Sequence, residues 1–261
     1  MDKCKICGGQ AETFARAEVL KTHPADYLRC EACGFVSVLN PFWLKEAYKN
    51  PITSEDVGLV SRSSRMADIA EKTILLFLNR NGDFCDWGGG YGLLVRMMRD
   101  RGYNFSRYDR YCENIFAKGF DVDGKAGSYE MVTCFETLEH LVDPVKTIKG
   151  ILSQTENVLF STRLLPTPCP KPGNWWYYGL NHGQHISLFS RESLYKLAEK
   201  TGMNYYTDGS EVHFFSRRKR SVLKLRLLFD FYGRRLIGMM NHFSRPASLL
   251  DADSGQSESH S

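Results

Sequence analysis

Four cysteines near the start of the chain fall in two matched pairs, Cys4-x2-Cys7 and Cys30-x2-Cys33. Each second thiol is followed by a glycine, Gly8 or Gly34, which lets the backbone turn tightly and aim N–H groups at sulfur. Four thiolates at this spacing suit tetrahedral zinc, with an iron site of the same geometry as the alternative. Sulfur would fill every position, so the metal would be structural. Cys85, Cys112, Cys134 and Cys169 stand singly.

A second chemical signal is Asp86-Trp87-Gly88-Gly89-Gly90-Tyr91-Gly92, which ends a short apolar run and precedes a helical pattern. Glycines there expose backbone N–H groups to a ligand with no side chains in the way. A dinucleotide fingerprint would read Gly-x-Gly-x-x-Gly, whereas here glycines stand at 88, 90 and 92 behind an acidic residue. A carboxylate in that place suits a cationic ligand better than a pyrophosphate. Asp109, 17 residues past Gly92, is placed to accept hydrogen bonds from two ribose hydroxyls.

The elements that must carry these groups alternate. Met66, Ile69, Ala70, Thr73, Ile74, Phe77 and Leu78 draw one stripe on a helix from about Ser64 to Arg80, ended by Asn81-Gly82. Strands are expected at Phe84–Asp86, Asn104–Tyr108, Glu130–Phe135 and Asn157–Ser161, with a further one leading to Phe120 and Asp121. Asp143 and Pro144 suit the start of one helix, and Ser190 and Gly202 the two ends of another. Such alternation predicts a mostly parallel sheet covered on both faces.

Here the sequence resembles the class I S-adenosylmethionine-dependent methyltransferases, whose Asp-x-Gly-x-Gly-x-Gly motif is matched from Asp86 to Gly92. Tyr129-Glu130-Met131-Val132 and Glu136-Thr137-Leu138-Glu139-His140 are similar to that family's fourth-strand block, with Tyr-Glu in place of Phe-Asp. The resemblance covers residues of about 65 to 205 and implies an α/β, Rossmann-like, mostly parallel seven-stranded sheet. It implies S-adenosylmethionine held by Asp86, Gly88, Gly90, Tyr91, Gly92, Asp109 and Phe135, with Phe120 and Asp121 beside the adenine. The N-terminal layout resembles zinc-ribbon leaders fused to bacterial methyltransferases of sugar-nucleotide and polysaccharide pathways. The implied organisation is a zinc-ribbon module at 1–48 and a methyltransferase domain at 49–215. A basic amphipathic helical extension at 216–250 and a disordered tail at 251–261 complete it.

Methyl transfer is an in-line displacement, so positioning supplies most of the acceleration, and a hydroxyl acceptor also needs a base. The base is expected from loops after the fourth and fifth strands, where open α/β sheets bind ligands. Glu136 and His140 lie in one, and Asn174-Trp175-Trp176-Tyr177-Tyr178 through His182-Gly183-Gln184-His185 in the other. The aromatics are expected to stack on a sugar ring or nucleobase, and His185 to abstract a proton, with Glu136, His140 and Tyr178 as the further catalytic candidates. His182 to His185 resembles the His-Glu-His block of zinc-ribbon sugar carbon-methyltransferases. Gln184 stands where that block has its carboxylate, which favours oxygen methylation.

Composition narrows the alternatives. The net charge is +4, yet residues 217 to 235 alone carry +7, so the remainder carries −3 and a general nucleic-acid surface is disfavoured. That basic segment, rich in leucine and phenylalanine, suits either an anionic membrane surface or RNA phosphates, or packs on the catalytic domain. A mean hydropathy of −0.35 and no apolar stretch of membrane-spanning length exclude a transmembrane protein. The absence of an apolar leader after Met1 sets the expectation of a cytoplasmic protein, possessing reduced thiols. The function expected is O-methylation of a small sugar-containing acceptor. RNA base methylation, or a binding protein of the same fold without chemistry, are the rival readings.

Overall fold

The computed structural model describes residues 2–49, 58–124, 127–230, 248–249 and 253. In chain order the strands are β1 (Asp2–Lys3), β2 (Gln10–Val19), β3 (His23–Cys30), β4 (Val36–Val38), β5 (Asp83–Trp87), β6 (Asn104–Tyr108), β7 (Met131–Cys134), β8 (Asn157–Ser161), β9 (Ser187–Leu188), β10 (Asn204–Thr207) and β11 (Val212–Ser216). The α-helices are α1 (Leu44–Ala47), α2 (Leu59–Phe77), α3 (Leu93–Asp100), α4 (Pro144–Leu152), α5 (Arg191–Thr201) and α6 (Val222–Phe229). One sheet runs β1-β2-β3-β4-β9 and the other β10-β11-β8-β7-β5-β6.

By packing, the chain divides into two compact units. One comprises Met1–Pro51, Glu136–Ile151 and Phe160–Arg217; the other comprises Ile52–Phe135, Leu152–Leu159 and Arg218–Ser261.

In the first unit β1 to β4 form antiparallel hairpins, and β4 pairs with β9 through Val36 against Leu188 and Ser37 against Ser187. The cysteine-bearing segment expected as a separate module at 1–48 therefore shares its sheet with a strand 150 residues downstream. Its core gathers Val19, Tyr27, Val38, Trp43, Tyr177, Tyr178 and Ile186. Ser190 caps α5, its hydroxyl accepting from the Ser193 N–H at 3.0 Å, and Gly202 closes the helix at φ +72°. Both caps follow the expectation from sequence. At the start of α4, the Asp143 carboxylate accepts from the Lys146 N–H at 2.9 Å, again as expected.

In the second unit β5 pairs in parallel with β6, from Asp83 against Asn104 to Trp87 against Tyr108, and with β7, from Phe84 against Met131 to Asp86 against Thr133. Helix α2 buries Met66, Ile69, Ala70, Thr73 and Ile74, the stripe read from the sequence, but it begins at Leu59 and stops at Phe77. It stops early because Leu78 is extended and Asn79 starts a turn, with the Asn81 N–H donating to its side chain at 3.1 Å.

Three expectations are corrected. The sheet that carries the parallel strands has six strands among the described residues, not seven, and β10 and β11 are antiparallel. The strand expected before Phe120 reduces to a single bridge between Arg107 and Asp121. In the tail, Asp253 is buried, and its carboxylate accepts from Arg99 at 2.8 Å and Arg96 at 2.9 Å; the rest of 251–261 lies outside the described residues. Of the basic segment, α6 is described, while Gly233 and the residues from Phe231 to Met240 lie outside them. Arg220 and Lys224 donate to the carbonyls of Phe77 and Leu76 at the end of α2, which places these two cations on the last turn of a helix. Among the described residues no helix is long and apolar enough to cross a membrane.

Candidate functional sites

The glycine turn leaves β5 and opens α3. Gly88, Gly90 and Gly92 all have left-handed backbones, at φ +78°, +53° and +85°. That alternation is the conformational reason for glycine at every second position. Gly89 serves differently, since a Cβ there would lie 2.8 Å from Asp86 Oδ2. The turn is tied down by Gly88 N–H and Gly89 N–H, which both donate to the Tyr108 carbonyl, at 2.7 and 3.2 Å.

Asp86 is buried at 4% exposure, and the Thr133 hydroxyl donates to its Oδ1 at 2.6 Å. Burial pushes its carboxyl up to about 7, the Thr133 hydrogen bond opposing and Asp109 adding to the rise. Arg107 also opposes the rise through its charge but makes no hydrogen bond to Asp86, because its guanidinium donates to the Gly90 carbonyl at 2.7 Å, to Asp121 and to the Cys112 carbonyl. The turn thus holds a carboxylate short of compensating positive charge, as a cationic ligand requires.

Asp109 faces the same turn. Its Oδ2 accepts from the Gly90 N–H at 2.9 Å, and its Oδ1 from the N–H groups of Tyr111 and Cys112 at 2.7 and 2.9 Å. A carboxylate offers about four acceptor sites, so Asp109 keeps limited capacity for a further donor. Tyr91 and Phe135 are half-buried, one inside the turn and the other just past β7. Phe120 and Asp121 are otherwise engaged: Phe120 lies under the Arg99 guanidinium at 3.6 Å, and Asp121 pairs with Arg107 and Asn114. Thr133, Arg107 and Asn114 were not singled out by sequence reasoning; their only signal was proximity to strand ends.

In the other unit the four N-terminal thiols converge. Cys4 and Cys33 lie 3.6 Å apart at sulfur and Cys7 and Cys30 3.5 Å, with all four sulfurs within 4.8 Å of one another. A tetrahedron with metal–sulfur bonds of ~2.3 Å has edges of ~3.8 Å, so the set fits one ion. Ile6 N–H points at Cys4 and Gly9 N–H at Cys7, each at 3.4 Å, while Gly8 and Gly34 take left-handed backbones. The short contact to Cys33 pulls Cys4 down to about 5 and holds Cys33 up, so this pair retains a proton that a cation would displace.

The same unit brings together Glu139, His140 and His185. Glu139 is fully buried on the turn after β7; the Tyr177 hydroxyl donates to its Oε1 at 2.7 Å, while its Oε2 has no hydrogen-bond partner. Burial, reinforced by the charge of Glu136, pushes the Glu139 carboxyl up to about 8. The His140 and His185 rings stand 4.9 Å apart, edge to face. His185 Nδ1–H donates to the Tyr177 carbonyl at 2.6 Å, which fixes the tautomer and leaves Nε2 as the acceptor nitrogen. His140 Nδ1 is engaged with the Tyr48 hydroxyl at 2.9 Å. Burial pushes His185 down to about 3 and His140 well below the usual imidazole range, so both are neutral near pH 7.

Two of the catalytic candidates, His185 and Tyr178, sit in surroundings that the sequence did not show. His185 has the right free nitrogen for a base but too little basicity to act unaided on a hydroxyl. Tyr178 is a core residue, its hydroxyl donating to the Pro170 carbonyl at 2.6 Å and its ring packed edge-on to Tyr27. The aromatic run likewise does not present four faces: Tyr177 and Tyr178 are buried, and Trp176, at 71% exposure, is the open one. Trp43 Nε1 donates to the Gly183 carbonyl, and Gln184 to the Ala47 carbonyl, both at 2.8 Å, pinning the histidine loop. Glu136 has a left-handed backbone at φ +47°, unusual for a side chain of its size, held by two hydrogen bonds with Ser161. Glu139 was missed as a site residue, and Tyr177 was expected as a stacking ring rather than as its buried partner; the spacing of Glu136 and Glu139 was visible, the burial of the second was not.

A family model described as a methyltransferase domain matches residues 61–207, more than half of the sequence, and the chain belongs to that family. Among solved structures of similar fold is an O-methyltransferase family protein from Burkholderia thailandensis, 11% identical, with a TM-score of 0.50 over 70% of this chain and 65% of that one. A mitomycin 7-O-methyltransferase is 14% identical, with a TM-score of 0.43 over 67% of this chain and 60% of that one. The magnesium protoporphyrin IX methyltransferase of Synechocystis PCC 6803, solved with S-adenosylmethionine bound, is 13% identical, with a TM-score of 0.39 over 69% and 93%. This chain therefore spans under two thirds of the length of the first two. No curated protein matches the sequence.

Proposed function

We propose that the protein transfers the methyl group of S-adenosylmethionine to an oxygen of a small, sugar-containing or glycan-pathway acceptor. The observation that carries the cofactor assignment is the turn from Asp86 to Gly92. Three left-handed glycines, and a Gly89 whose missing Cβ lets Asp86 pack against the turn, bare the backbone beside a carboxylate with little compensating charge, which suits the cationic methionine portion. Asp109, anchored by three N–H groups, supports a role in orienting the ribose. Bound S-adenosylmethionine would supply an electrophilic methyl group; the chain's own task is to hold both partners in line and exclude water.

Oxygen is favoured over carbon as the acceptor because Gln184 replaces the carboxylate of the carbon-methyltransferase block, and its amide is spent on the Ala47 carbonyl. The exposed Trp176 is the ring best suited to stack on a sugar. We also assign structural zinc to Cys4, Cys7, Cys30 and Cys33, consistent with the sulfur spacing above. Exposed Val222 and Leu223 on α6 offer apolar surface that suits peripheral contact with a membrane better than RNA binding.

Calorimetric titration with S-adenosylmethionine tests the reading. Binding that Asp109→Ala weakens tenfold or more is expected, together with transfer of labelled methyl groups to sugar nucleotides bearing free hydroxyls. Unchanged affinity in Asp109→Ala would remove that residue from the site, and no binding by the unaltered protein would end the proposal.

A further inference from the structure

We infer that Glu139, His140 and His185 form a binding site for one divalent transition-metal cation, separate from the four cysteines. Their ligand atoms all lie within 4.8 Å of one another. Bonds of ~2.1 Å to nitrogen and oxygen span up to ~4.2 Å between opposite ligands, so side-chain movements of under an ångström close the set.

The independent sign of a ligand is Glu139 Oε2. It belongs to a carboxylate with no solvent exposure and lacks any hydrogen-bond partner, an arrangement that costs free energy unless something cationic or protonated meets it. The surrounding groups are arranged as supports of a metal site are. Tyr177 holds Oε1 through its hydroxyl and His185 Nδ1–H through its carbonyl, one residue orienting two ligands. The Tyr48 hydroxyl does the same for His140 Nδ1. Both histidines thus engage one nitrogen with a protein oxygen and keep the other, as metal-bound imidazoles do.

The donor set also names the chemical class. Two imidazoles and one carboxylate favour manganese, iron(II), cobalt or zinc over magnesium, which prefers oxygen alone. Both histidines retain partial exposure while Glu139 is sealed, so the open coordination positions lie on the histidine side. Three protein ligands leave room for water or a hydroxyl oxygen, whose acidity a cation raises. A bound cation would polarise a hydroxyl oxygen held at one of those open positions. That consequence rests on the methyl-transfer reading; the site itself does not.

Manganese(II) is the probe, because its free ion gives an electron paramagnetic resonance signal that binding removes and because it competes poorly for thiolates. Titration of the protein, without S-adenosylmethionine and after a mild chelator wash, is expected to remove about one equivalent of signal per chain, with pulsed spectra showing histidine nitrogen coupling. Glu139→Gln and His185→Gln should each weaken binding about 100-fold, and Tyr177→Phe about tenfold, the size usual for supporting groups. Should Glu139→Gln fail to fold, His185→Gln decides, with its melting curve as control. No binding at millimolar manganese, or binding that persists undiminished in folded His185→Gln, overturns the site. Because no cofactor is present, its failure is read apart from failure of the methyl-transfer reading.

Discussion

Replacing Asp86 by asparagine should stabilise the ligand-free protein at alkaline pH while abolishing cofactor binding. The carboxyl is buried, has one hydroxyl donor and stands near Asp109, and its pKa rises from the ordinary 3.8 to about 7. Between those values the folded state keeps a proton that the unfolded chain has released, so stability falls as pH rises through this window. At ~1.4 kcal/mol per unit, the loss is on the order of 4 kcal/mol by pH 8. Asparagine escapes that loss but leaves amide hydrogens to satisfy, at a cost of about 2 kcal/mol. The net gain at pH 8 is about 2 kcal/mol, or roughly 4–8 °C in melting temperature for a chain of this size. At pH 4 the wild-type carboxyl is largely protonated and the gain should vanish or reverse. Melting curves of both proteins from pH 4 to 8, without ligand, test this. If Asp86→Asn retains the wild-type pH slope, or melts lower at pH 8, the account of a charge held in readiness for a cation is wrong.

Other consequences can be checked alongside. Gly92→Ala forces a Cβ to within 2.6 Å of Asn114 Oδ1 at a left-handed backbone position, so it should cost about 1–3 kcal/mol in urea unfolding and weaken S-adenosylmethionine binding. Elemental analysis should find about one zinc retained after a mild chelator wash, and Cys30→Ser should lose it together with much of the N-terminal β-signal in circular dichroism; retention of zinc in that variant would refute the four-thiolate assignment. Trp43→Phe removes the hydrogen bond to the Gly183 carbonyl and should cost about 1 kcal/mol while raising amide exchange at Gln184 and His185; unaltered exchange would show that the loop is held from elsewhere.

What could be read in advance was what depends on neighbours in sequence. The bounds of β6 and β8, the Ser190 and Gly202 caps, the Asp143 start of α4 and the left-handed glycines after β5 all follow from local rules. The paired cysteines announced themselves for the same reason, because knuckle turns are made within a few residues. Contacts between distant segments were not legible. Nothing in the short run Ser187-Leu188 says that it will pair with Val36 and Ser37, and without that pairing the cysteine segment looks self-contained. Tyr177 and Tyr178 read as an exposed aromatic loop because their burial is conferred by Tyr27, Trp43 and Ile186, which no periodicity links to them. The same holds for Glu139, whose seclusion depends on Tyr177, and for Asp253, whose polar neighbourhood suggested a disordered tail until Arg96 and Arg99 are seen beside it.

The union of β4 with β9 bears on how the chain is made. Residues 2 to 38 contain the hairpins and both thiol turns, yet the edge of β4, like the core that Tyr177, Tyr178 and Ile186 complete, waits for some 150 further residues to be translated. At bacterial or eukaryotic elongation rates of roughly 5–20 residues per second, that edge stays open for about 8–30 seconds, long enough to invite pairing with another nascent chain.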